Sequence, residues 1–91
     1  MAELQDYLVN TYKVYVEVNE DHKEDGTILP RSFVWEDGRR YTIDKIIDVR
    51  PAASLKAGGA GLRYTVAVLQ KEVYMFLEED REVFRWFMER K

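Results

Sequence analysis

The single histidine, His22, stands in an acidic run with Glu20, Asp21, Glu24 and Asp25, just ahead of Gly26. Side chains of these types hold cations, so the first chemistry to weigh is a metal site. A calcium loop of the EF-hand type needs oxygen ligands at alternate positions before its glycine and a bidentate glutamate six residues after it. Asp21 and Asp25 fit that pattern. Lys23 occupies the middle ligand position, however, and Ser32 stands where the glutamate belongs. The chain has no cysteine, and one histidine leaves any transition-metal affinity opportunistic. The run reads as a solvated acidic loop over residues 19–27, and no metal site is expected.

Hydrolytic triads need a nucleophile, a base and an orienting acid. Without cysteine, and with His22 in the acidic loop, neither the Cys nor the Ser route can be assembled. Carboxylates do cluster at Glu36-Asp37 and Glu78-Glu79-Asp80, but these stretches read as turns. Turns are solvated, whereas a raised carboxylate pKa needs burial. Gly58, Gly59 and Gly61 lack the Gly-Lys-Ser/Thr ending of a phosphate loop, and they lead into Leu62-Arg63-Tyr64-Thr65, which reads as strand. No set of residues fills the roles that an active site requires. The chain is not expected to be an enzyme, and neither a catalytic residue nor a cofactor is expected.

The remaining chemistry is aromatic and basic. Arg31, Phe33 and Trp35 alternate, Arg39-Arg40-Tyr41 stands across a turn from them, and Tyr64 follows Arg63. Small barrels that bind single strands set aromatic platforms beside Arg or Lys. Alternatively, Phe33, Trp35 and Tyr41 are core and the arginines line its rim. The second reading is preferred, because a chain of 91 residues needs its large aromatics inside. The net charge of −3 divides into −5 over residues 1–27, +4 over 28–71 and −2 over 72–91. A basic mid-section can meet an acidic partner or a phosphate backbone, but a strong nucleic-acid footprint is normally a basic domain. The candidate binding residues are Arg31, Arg39, Arg40, Arg50, Lys56, Arg63 and Tyr64.

These residues must be positioned by one domain spanning 1–91. Leu4, Tyr7 and Leu8 share a helical face, so residues 1–11 read as a short helix or arm. Tyr12, Val14, Val16 and Val18 alternate with polar positions, which predicts a first strand. Asp37-Gly38, between alternating apolar runs, predicts a hairpin. Pro30 is placed at a strand start or on an edge. Tyr41, Ile43, Lys45, Ile47 and Val49 are set on one face, and the charge at Lys45 with apolar Ile46 opposite implies a bulge or bend near Asp44–Ile46. Residues 50–61 read as a flexible connector, with Pro51 ending the strand before it. Residues 62–69 and 72–78 form a hairpin across Gln70-Lys71. The expected core is Val14, Val16, Val18, Phe33, Trp35, Ile43, Ile47, Val66, Val68, Met75 and Leu77. No apolar run approaches the ~20 residues of a membrane helix. The acidic N-terminus does not resemble a signal peptide, and the lack of cysteine fits a cytoplasmic location.

Three blocks together resemble a family of short bacterial proteins to which no activity is assigned. They are Leu29-Pro30-Arg31-Ser32-Phe33-x-Trp35-x-x-Gly38-Arg39-x-Tyr41, then Arg50-Pro51-Ala52-Ala53-Ser54-x-Lys56-Ala57-Gly58-Gly59, then Arg85-Trp86-Phe87-x-Glu89. The resemblance covers most of residues 12–90. It implies a small antiparallel SH3-like barrel of five or six strands and gives no activity. It also bears on the tail, where Val83, Phe84, Phe87 and Met88 fit a helical face while Phe84, Trp86 and Met88 fit a strand face. In the family the Arg-Trp-Phe block is a last strand, and the strand reading is taken here, although Asp80–Phe84 is an insertion relative to that pattern. By analogy of fold, aromatics lining a groove suggest a non-catalytic module for a protein or peptide partner. The alternative is a weak nucleic-acid binder using the basic and aromatic face.

Overall fold

The computed structural model of the protein describes residues 12–52, 60–80 and 83–90. Every regular element among them is a strand: β1 (Tyr12–His22), β2 (Ile28–Val34), β3 (Arg40–Thr42), β4 (Lys45–Pro51), β5 (Ala60–Val68), β6 (Lys71–Asp80) and β7 (Val83–Arg90). They form one sheet in the order β3-β2-β1-β7-β6-β5-β4, and every neighbouring pair is antiparallel. Among the described residues no helix is long and apolar enough to cross a membrane. The expected helix or arm over 1–11 lies outside the described residues.

Two bends curl this sheet into a barrel-like shell. In β1, residues Tyr12–Val16 pair with β7, while Glu17–His22 pair with β2, so one strand serves two directions. The second bend lies between β3 and β4. The Ile43 N–H donates to the Arg31 carbonyl of β2 at 2.9 Å, and the next N–H, of Asp44, donates to the Ala67 carbonyl of β5 at 2.8 Å. Consecutive residues therefore bond to opposite ends of the strand order, which requires the sheet to close on itself there. This curled antiparallel sheet is compatible with the small barrel that the resemblance implies, with the expected third strand broken in two. That break, together with a strand in the tail, brings the count to seven rather than five or six.

The hairpin at Asp37-Gly38 forms as expected. Gly38 takes φ +82°, and its N–H donates to the Trp35 carbonyl. Asp37 Oδ1 accepts from the Arg39 N–H at 2.9 Å. The acidic stretch is less of a loop than expected, because Asn19–His22 belong to β1 and pair with β2. Pro30 sits within β2 rather than at its start. Glu20 faces Pro30 while Asn19 faces Ser32, so Arg31 is the extra residue of a bulge. A bulge accommodates a residue without an N–H. The 50–61 connector is also shorter than expected. Arg50 and Pro51 pair with Arg63 and Leu62, and Ala52 donates to the Gly61 carbonyl. Gly61 belongs to β5, where a Cβ would lie 3.3 Å from the Leu77 carbonyl oxygen. Residues 53–59 lie outside the described residues.

The core consists of Phe33, Tyr64, Val66, Val68, Met75, Leu77, Trp86 and Met88, with Val16, Val18, Trp35, Ile43 and Ile46 packed against it. Ile47 was expected inside and is 43% exposed. The switch of partner at Ile43–Asp44 and the register shift between Ile46 and Asp48 change the inward parity, so Ile46 takes the core position. Val14 is only half-buried.

Candidate binding cleft

An apolar cleft of about 620 Å³ opens between the β2–β3 hairpin and the β5–β6 hairpin. Phe33, Trp35 and Tyr41 form one wall, Val68 and Val73 the other, and Met88 of β7 reaches in beside them. Each wall follows from local sequence. Phe33 and Trp35 alternate inward on the same arm, and Tyr41 faces Phe33 across β2–β3 with ring centroids 5.6 Å apart. The Tyr41 hydroxyl donates to Asp37 Oδ2 at 2.8 Å, which fixes the ring against the turn. That hydrogen bond raises the phenol pKa and lowers that of Asp37, whose carboxylate is held first by the Arg39 N–H. Arg90 Nε and Glu36 Oε2, 2.8 Å apart, tie the end of β7 to the β2–β3 turn.

The opposite rim is the Leu69-Gln70 turn, with φ of +51° and +66°. The turn lies one position before the Gln70-Lys71 link expected from the sequence. Two positive φ values mark the turn type that asparagine and glycine prefer, and Leu and Gln hold it at a cost. Leu69 lines the cleft and is 70% exposed. Lys71 stands beside it and makes no ion pair among the described residues. The Trp35 indole N–H likewise has no acceptor among the described residues. The cleft thus offers apolar depth, the Trp35 ring donor, the Lys71 ammonium and the Glu89 carboxylate.

The outer face of the sheet carries a second arrangement. Tyr15, Phe87, Phe76 and Tyr74 run in contact across β1, β7 and β6, with centroid separations of 5.9, 4.8 and 6.5 Å. Lys13 Nζ lies 4.4 Å from the Phe87 ring centre, the Arg85 guanidinium 4.7 Å from Tyr15, and the Arg63 guanidinium 4.6 Å from Tyr74. Glu78 is the hub of the charges. It accepts from Lys13 Nζ at 3.0 Å, the Tyr15 hydroxyl at 3.2 Å and Arg85 at 2.9 Å. The Lys13 hydrogen bond is the main reason its carboxyl titrates below the usual range.

The structure divides the candidate binding residues. Arg31, Arg39 and Arg40 lie on β2 and β3 and the turn between them; Arg31 pairs with Asp21 at 2.6 Å, and Arg40 donates to Ser32 Oγ at 3.0 Å. Arg50 and Arg63 face each other across β4–β5, and Arg50 pairs with Asp48 at 2.8 Å. Lys56 lies outside the described residues. Tyr64 is core, 1% exposed, and its hydroxyl donates to the Ile28 carbonyl at 2.6 Å, so it presents nothing to a ligand. Its place was legible, since it alternates with Leu62, Val66 and Val68. Sequence reading missed Leu69, Lys71, Val73 and Met88 as cleft residues and the outer aromatic row, because both arise from pairing between distant strands. Among the described residues no three His, Asp or Glu side chains come together as a metal site. Comparison with protein-family models, with characterised proteins and with solved structures finds no match.

Proposed function

We propose that the protein is a non-catalytic interaction module that binds a protein or peptide partner by seating a large apolar side chain in the cleft. The supporting observation is the cleft itself: about 620 Å³ walled by Phe33, Trp35, Tyr41, Val68, Val73 and Met88 in a domain this small. Concave sites with apolar walls and a few unused polar groups are the usual form of a binding site. Burying one such side chain contributes ~1.5–3 kcal/mol, about a ten- to hundredfold gain in affinity. Selecting peptides from a displayed random library on the intact protein tests this. Enriched peptides should share a large apolar residue and lose binding to Trp35→Ala. Peptides that bind Trp35→Ala unchanged would refute the reading.

A second reading, weak binding of single-stranded nucleic acid, draws support from the outer row, where Arg63, Lys13 and Arg85 lie over aromatic rings. Stacked bases with phosphates near such cations would make log K fall with log salt at a slope of about −0.7 per phosphate neutralised. A salt-independent affinity would exclude it. Partner capture from host extract that survives nuclease treatment would also separate it from the peptide reading.

A further inference from the structure

The cleft coincides with a seam in the barrel. The β6–β7 ladder begins at Asp80–Val83 and stops at Phe76–Phe87. Beyond that point β6 continues as Lys71–Met75, paired only with β5. Residues on both sides of the seam, Val73 and Tyr74 on β6 and Met88 on β7, line the cleft, so the two strands stand apart around it.

The ladder also tells which main-chain groups of β6 face the seam. Val68 and Lys71 close a two-residue turn and are the hydrogen-bonded pair that such a turn requires. Hydrogen-bonded and non-hydrogen-bonded pairs alternate along an antiparallel ladder. Lys71, Val73 and Met75 therefore spend their N–H and C=O groups on β5. Glu72 and Tyr74 direct theirs the other way, as Phe76 does where it bonds to β7. Among the described residues no strand pairs with Glu72 or Tyr74 on that side. Both side chains are exposed, and the ladder to β7 ends at Phe76–Phe87 before it reaches them.

From this geometry we infer the binding mode of the partner. It enters as an extended peptide that adds a strand to the Lys71–Met75 edge of β6, with an apolar side chain pointing into the cleft. The inference rests on the peptide-binding reading above and adds the backbone pairing. An open strand edge selects an extended chain, because only that conformation presents N–H and C=O groups at matching spacing. The apolar walls select the inward side chain, and alternation gives one such anchor every second residue. Lys71 stands at the rim with Glu72 next to it and Glu89 on the opposite strand, so the flank of the peptide meets charges of both signs.

The test uses the peptide selected on the intact protein. Its analogues carry N-methyl groups at alternate positions, which remove the donors that pair with β6 without changing any side chain. Methylation in one of the two registers should weaken binding at least tenfold and leave the other register unaffected. Glu72→Pro, which removes an N–H that β5 does not use, should weaken the peptide similarly while the far-UV spectrum stays native. In isotope-labelled protein, the Glu72 and Tyr74 amides should become protected from exchange on addition of the peptide. A peptide that binds and depends on Trp35 but tolerates methylation in both registers would overturn the strand pairing and leave the cleft reading standing. Failure to enrich any peptide would remove both. Protection of the Glu72 and Tyr74 amides in free protein, by a second copy or by residues 1–11, would also overturn the proposal.

Discussion

The two tryptophans should respond oppositely to truncation. Trp86 is 5% exposed, its ring lies 5.0 Å from that of Tyr64, and its Nε1 donates to Glu20 Oε2 at 3.2 Å. Trp86→Ala empties the core and should cost ~3–5 kcal/mol. Trp35 packs on the core with one side and lines the cleft with the other. Its ring is only partly buried, so Trp35→Ala removes less buried surface and should cost ~1.5–2.5 kcal/mol. In a domain of this size that lowers Tm by ~4–8 °C per kcal/mol. Trp86→Ala takes a large part of the ~5–15 kcal/mol that stabilises a typical domain, and should leave it marginally folded. Urea unfolding followed by far-UV circular dichroism measures both, since each variant loses a fluorophore. Acrylamide should quench Trp35 emission and spare that of Trp86. Equal costs, or a larger cost at Trp35, would refute the assignment of one ring to the core and the other to the cleft.

Tyr64→Phe removes the donor to Ile28 inside the core. It should cost ~1–2 kcal/mol by calorimetry, through the lost bond and the carbonyl left without it, and should leave partner affinity unchanged. Glu78 has a folded pKa below its ordinary 4.5, so its stabilisation is complete above that pH and disappears as pH falls through the lower folded value. Glu78→Gln should flatten part of the loss of stability below pH 4.5 in acid unfolding curves, to which Asp25 and Asp37, also held low, contribute as well. Replacing Leu69-Gln70 by Asn-Gly relieves two positive-φ positions and should stabilise the protein by ~1–2 kcal/mol in urea melts, while removing the Leu69 contact from the cleft rim.

Much of the sheet is legible from alternation. Val14, Val16 and Val18 mark β1, the Asp-Gly turn marks β2–β3, and Val66, Val68, Met75 and Leu77 declare the inner faces of β5 and β6. The tail was ambiguous because eight residues satisfy both periods, and only pairing with β1 and β6 decides for a strand. The closure is not legible either. At Ile43–Asp44 the chain changes partner from β2 to β5; the charge at Lys45 beside apolar Ile46 marks a bend near there, but nothing local tells which strands the two sides pair with. The exchange of Ile46 for Ile47 follows from that switch and from the register shift between Ile46 and Asp48. The cleft is harder still to read, because it appears where the β6–β7 ladder stops and needs residues 33, 35, 68, 73 and 88 placed together. Tyr64 is different: its alternation with core residues was enough to place it, and proximity to Arg63 drew it wrongly toward the surface.

The most direct measurement is a two-dimensional ¹H–¹⁵N spectrum of the intact protein titrated with the library-selected peptide. The account requires the largest shifts at Phe33, Trp35, Tyr41, Leu69, Val73 and Met88, including the Trp35 indole N–H. Shifts confined to Lys13, Tyr15, Arg63, Phe76 and Arg85 on the outer face, with the cleft signals unmoved, would contradict it.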